Sequence, residues 1–260
     1  MMYLKKSICV FIMLTMLMAH LFGQKIKDDK KGILYFGFGS HLSYYSPSDI
    51  RFISNKGEFD FILKDVRGKD DRGIKLEGDA AQYSYQVGYY FKKKGFGIEF
   101  NFDHIKYFVR PNQIVRVRGT IFGQQYDNDT LLTPDFVYLE HSDGGNYALF
   151  NFVKWKNLKQ NKNNTSSFDV LFKAGAGPVI PRTNSTLFGT RYRDDKYFIS
   201  GYVVAVEGGI RYNFLKNFYA VPTVKGSFAN YNHFLIKDGH GKQRWTALHF
   251  NLLVGGQLSL

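Results

Sequence analysis

Cysteine is almost missing from this chain of 260 residues: the single one, Cys9, lies inside the first apolar run. A disulfide scaffold is thereby excluded, and removal of that run would leave no thiol for redox, metal or nucleophilic chemistry. No Walker loop, zinc-finger spacing or RNA-binding signature is present either. After Gly23 no apolar stretch reaches the ~20 residues that a membrane-spanning helix needs. What is abundant is aromatic. With 25 Phe and 18 Tyr beside the aliphatic residues, the chain can bury enough apolar surface to offset the entropy of ordering, which excludes low-complexity disorder.

Residues 1–23 read as a cleaved export signal. Lys5 and Lys6 form its basic start, Ile8 to Phe22 is apolar except for Thr15 and His20, and polar sequence follows from Gln24. The expected organisation is therefore a signal over 1–23, a short arm over 24–32, and one folded domain over 33–260.

The domain is written in a two-residue period. Leu34, Phe36, Phe38, Leu42 and Tyr44 alternate with Tyr35, Gly37, Gly39, His41 and Ser43. Tyr83, Tyr85, Val87, Tyr89 and Phe91 alternate with Ser84, Gln86, Gly88 and Tyr90. Phe96, Ile98, Phe100 and Phe102 oppose Gly97, Glu99, Asn101 and Asp103, and Phe150 and Phe152 oppose Tyr147, Leu149 and Asn151. Further along, Phe168, Val170 and Phe172 oppose Asp169 and Lys173; Tyr202, Val204, Val206, Ile210 and Tyr212 oppose Glu207 and Arg211; Phe218, Val224 and Phe228 oppose Tyr219, Thr223 and Lys225. The last run sets Leu248, Phe250, Leu252 and Val254 against His249, Asn251 and Gly255.

Eight such runs, with one face too polar for the core of a sandwich, fit an all-β, closed antiparallel transmembrane β-barrel. Lipid requires every backbone group to be paired, and closure leaves no edge. The gaps agree: Lys92 to Gly95, Asn157 to Ser167 and Leu215 to Asn217 are short, whereas Ser46 to Ala80, Val109 to Gly145, Pro181 to Lys196 and Asn232 to Gln243 are longer. The pattern implies short periplasmic turns and long extracellular loops. A ten-strand count follows if a hairpin in the second long loop also spans, but Arg116 and Arg118 share one face of it. A soluble β-sandwich or lipocalin-like barrel is the other all-β solution, and it would turn the aromatic face inward.

The export signal, eight strands, short inner turns and long outer loops resemble the small OmpA-like outer-membrane barrels of Gram-negative bacteria. The resemblance implies a monomeric outer-membrane protein with both termini periplasmic and in contact with outer-membrane lipids and lipopolysaccharide. It brings no cofactor, no metal and no catalytic residue.

The net charge of +13 would ordinarily raise nucleic-acid binding, so its location matters. The four long loops hold equal numbers of basic and acidic residues. The excess lies in the arm and short turns, at Lys25, Lys27, Lys30, Lys31, Lys92, Lys93, Lys94, Lys154, Lys156, Lys159, Lys162 and Lys216 against Asp28 and Asp29. Lysines at such a rim suit lipid headgroups. No nucleic-acid partner is expected.

The inward faces carry Glu99, Asp103, Asp169 and Glu207 against Lys173, Arg211 and Lys225, and buried charges need partners. This set is expected to form an ion-pair network that fills the lumen; a narrow pore is the competing reading. His41 and His249 face inward on the first and last strands, too few ligands for a metal. A hydrolase reading, by analogy with lipid-modifying barrels, rests on His141 with Ser142, Asp143 and Asp103 near the outer rim. Neighbouring His141 and Ser142 point to opposite faces of a regular strand, which counts against it. The long loops carry their own alternation, Phe59, Phe61 and Leu63 in the first and Val115 and Val117 in the second. They are expected to extend the sheet as hairpins that meet an extracellular protein or ligand.

Overall fold

The computed structural model describes residues 32–70, 82–141, 144–161, 166–193, 196–215 and 217–260. The expected signal, nearly all of the arm, and Ser142 and Asp143 lie outside the described residues; Gly32, counted with the arm, opens the first strand. Every described element is a strand. In chain order they are β1 (Gly32–Tyr45), β2 (Ser48–Ser54), β3 (Phe59–Val66), β4 (Gly68–Lys69), β5 (Ser84–Phe91), β6 (Phe96–Asp103), β7 (Tyr107–Val109), β8 (Gln113–Ile121) and β9 (Gln124–Leu132). There follow β10 (Val137–His141), β11 (Gly145–Gln160), β12 (Ser167–Pro181), β13 (Asn184–Leu187), β14 (Thr190–Arg193), β15 (Gly201–Leu215), β16 (Phe218–Ile236) and β17 (Gly239–Ser259).

The large sheet pairs β1, β5, β6, β11, β12, β15, β16 and β17 in that order, and β17 pairs in turn with β1, so the hydrogen bonding returns to its start. All eight pairings are antiparallel. The period-2 phase read from the sequence is the phase of burial. Phe36, Ile98, Phe150 and Leu252 are exposed at 64%, 56%, 67% and 57%, whereas Glu99, Lys173, Arg211 and Lys225 are all buried. A soluble sandwich would show the reverse, because water favours the charged face. Gly88 shows how the inner face accommodates its large rings. It stands directly across the ladder from Tyr35, and a Cβ there would collide with the tyrosine ring.

β6 pairs directly with β11, and the second-loop hairpin is not inserted between them. The hairpins form elsewhere. β2 pairs with the start of β17, β3 with β2, β8 with β3 and β9 with β8, which extends the large sheet sideways beyond the ring. The β8–β9 connection is the two-residue turn Phe122-Gly123, both at positive φ (48° and 78°), the geometry that matches strand twist in tight hairpins. The fourth long gap is mostly strand: β16 and β17 run on until only Lys237 and Asp238 separate them.

A second sheet, ordered β14, β13, β10, β7 and β4, packs against this extension. Between the two layers lies the main apolar core, with Phe52, Phe61, Leu63, Val117 and Phe234 from the first layer and Tyr107, Val109, Val137, Leu139 and Leu187 from the second. Buried apolar area drives this packing, so the described parts of the long connections form a folded cap rather than separate loops.

Candidate functional site

The inward polar residues come together because the ladder brings them level. Lys173 faces Glu207 across β12 and β15, and Glu207 faces Lys225 across β15 and β16. Lys173 Nζ lies 2.9 Å from Glu99 Oε1 and 3.5 Å from Glu207 Oε1; Lys225 Nζ lies 2.6 Å from Asp103 Oδ2 and 3.3 Å from Glu207 Oε2. Neutral groups saturate what remains. Lys173 also donates to Gln86 Oε1 (2.7 Å), Lys225 to Asn101 Oδ1 (2.7 Å), Thr223 to Glu207 (2.7 Å), and Tyr35 to Glu99 (3.1 Å).

Two members of the expected set belong elsewhere. No ion pair among the described residues includes Asp169 or Arg211. Asp169 accepts from Asn157 and Asn213, and the Arg211 guanidinium carbon lies 3.6 Å from the ring centre of Tyr219 and 4.6 Å from that of Trp155. Asp103, whose phase sets it among the inward charges although it is also a candidate carboxylate near the rim, joins the ion-pair chain. It is held there by Lys225, by Ser84 Oγ (2.7 Å) and by Asn101 Nδ2 (3.1 Å). Its place on the inward face is legible from the phase it shares with Glu99 and Asn101 on β6.

His41 and His249 stand edge to face, ring centres 5.9 Å apart. His41 Nδ1 bonds Ser84 Oγ, and His249 bonds Ser43 through Nδ1 and Ser227 through Nε2. No group of three or more potential metal ligands occurs among the described residues.

His141 ends β10 in the cap. It is fully buried, stacked on Tyr231 with ring centres 5.1 Å apart and set edge-on to Phe234. Its Nδ1 bonds Thr183 Oγ1 (3.0 Å), while Nε2 finds no partner. Burial pushes the imidazole down to about 3, against an opposing pull from Gln243, whose Oε1 is also without a partner. Burial likewise pushes the Tyr107 hydroxyl up to about 12. Asp103, the candidate carboxylate that lies among the described residues, is engaged with Lys225, and Glu140, next in the chain to His141, with Asn184 (2.6 Å) and Tyr138. A general base must come within ~3 Å of the proton it takes, and a fully buried ring offers a substrate no approach. Ser142 and Asp143 are not among the described residues.

At the opposite end, where the short turns lie, a cavity of about 180 Å³ opens between β1, β11, β12, β15 and β17.

No family model and no curated protein matches the chain. Among solved structures it is similar to Ail, the attachment invasion locus protein of Yersinia pestis, solved with the heparin analogue sucrose octasulfate, at 11% identity over 88% of this chain and 99% of that one, TM-score 0.33. It is similar also to the outer membrane protein OprG from Pseudomonas aeruginosa (10% identity, 89% and 98% covered, TM-score 0.36). A third is the outer membrane protease OmpT from Escherichia coli (8% identity, 90% and 99% covered, TM-score 0.38). Likenesses this loose fix neither a family nor an activity.

Proposed function

We propose that the chain is an integral outer-membrane β-barrel of eight strands, with a filled polar lumen and a structural or surface-interaction role exercised through its folded cap. The observation that carries this reading is the inversion of burial on the ring: aromatic and aliphatic side chains outward, charged side chains inward. In water that arrangement exposes the residues that most favour leaving it and buries those that least do, while in lipid it is the stable one. On this reading residues 1–23 are removed after export, both termini and the short turns face the periplasm, and the outward band contacts outer-membrane lipids and lipopolysaccharide. The monomer is complete because the pairing leaves no open edge in the ring.

The ion-pair chain favours a filled lumen over a pore, because it crosses the interior and leaves its charged groups facing one another. Buried His141 favours a non-catalytic cap over the hydrolase reading. Purified protein in a planar bilayer and in outer-membrane fractions tests the proposal. It is expected to co-fractionate with the outer membrane, to show heat-modifiable electrophoretic mobility, and to give no stable conductance steps. Recovery in a soluble fraction would overturn the membrane reading, and reproducible steps the filled lumen.

A further inference from the structure

The cavity at the short-turn end is lined by Arg211, Asp169, Asn213, Trp155, Ile33 and Leu215 among others. Arg211 and Asp169 are directly opposite each other across β12 and β15. Opposite charges so placed normally pair, yet here they are held apart. The side chain of Asn213 stands between them: its Oδ1 accepts from Arg211 Nε (3.1 Å), and its Nδ2 donates to Asp169 Oδ2 (2.7 Å). Arg211 Nη2 donates to Gln257 Oε1 (2.6 Å), and Nη1 donates to no acceptor among the described residues. Tyr219 and Trp155 fix the guanidinium plane without neutralising it.

A buried guanidinium and a buried carboxylate that make no direct ion pair are each costly, and both border the same open space. An anion alone would be repelled by Asp169, and a cation alone by Arg211. A molecule carrying both charges a short distance apart satisfies both walls. Trp155, Ile33 and Leu215 supply an apolar side to the same cavity. Arg211 and Asp169 face away from the outward Ile210 and Phe168, so the occupant enters from the aqueous end and not from the lipid side.

We propose that this cavity binds a small zwitterion of the α-amino-acid class with an apolar side chain. Its carboxylate lies on Arg211, its ammonium on Asp169, and its side chain against Trp155. With Nε held by Asn213 and Nη2 by Gln257, the Nη1 donors of the guanidinium are the ones left for a carboxylate, and Asn213 keeps the two charged walls from collapsing onto each other in the empty state.

Isothermal titration of the full detergent-solubilised protein with three matched probes tests this: L-leucine, the amine that lacks its carboxylate, and the acid that lacks its ammonium. L-leucine is expected to bind saturably, and each singly charged probe at least about tenfold more weakly. Asp169→Asn, which retains hydrogen-bonding capacity, should remove the preference for leucine over the acid, with heat-modifiable mobility confirming that the variant folds. Equal binding of the three probes, or no saturable leucine binding at millimolar concentration, would overturn the proposal. So would an unchanged preference in folded Asp169→Asn.

Discussion

Lys225 on β16 and Asp103 on β6 stand four steps apart in the ring of eight pairings, and their side chains still meet at 2.6 Å. The pair therefore spans the interior from one wall to the opposite one, with Glu207 3.3 Å away as a second acceptor. Removing one partner leaves the other charge buried and alone. Lys225→Met is expected to cost about 3–5 kcal/mol, and combining it with Asp103→Asn should recover much of that. The midpoint of heat-modifiable mobility measures both; equal midpoints for the single and double variants would rule out the cross-lumen pair.

His141 makes the cap sensitive to acid. Its folded pKa, about 3, lies below the ordinary 6.5 because the buried ring resists charging. Below 6.5 the unfolded state binds the proton that the folded state refuses, so stability is full above that pH and falls as pH drops towards 3, by up to about 1.4 kcal/mol per pH unit. Trp245, whose ring centre lies 6.0 Å from that of His141, reports the event. Its fluorescence is expected to change between pH 6 and 4, and His141→Phe should blunt the change.

The outward face is equally open to test. Phe150, 67% exposed, lies within the long strand β11. Phe150→Lys should destabilise the protein in lipid by about 2–4 kcal/mol if it sits near the bilayer midplane. In a water-soluble protein the same change would be neutral or helpful, which makes the sign of the effect decisive.

Much of this architecture was legible because a strand with one apolar and one polar face has a period that any short stretch displays. Tyr35, Glu99, Lys173 and Lys225 announce their phase through their neighbours alone. The cap was legible only in part. Phe59, Phe61 and Leu63 alternate plainly, but β13 and β14 have four residues each and β4 two, too few to show a period, and they exist through tertiary packing. The capture of Arg211 by Tyr219 and Trp155 was likewise beyond a pattern argument. It depends on Asn213, two residues along the same face, intervening between charges that the register sets opposite each other.

Accessibility of single spin labels along β17 in lipid vesicles separates a lipid-facing band from a water-facing one most sharply, because one strand samples both faces. Labels at Leu248, Phe250, Leu252 and Val254 should be reached by dissolved oxygen and shielded from a water-soluble nickel complex. Labels at His249, Asn251 and Leu253 should be shielded from both and immobile. A membrane barrel gives a period of two in oxygen accessibility along the strand. Strong nickel accessibility at Phe250 and Leu252 would place that face in water and contradict the membrane barrel.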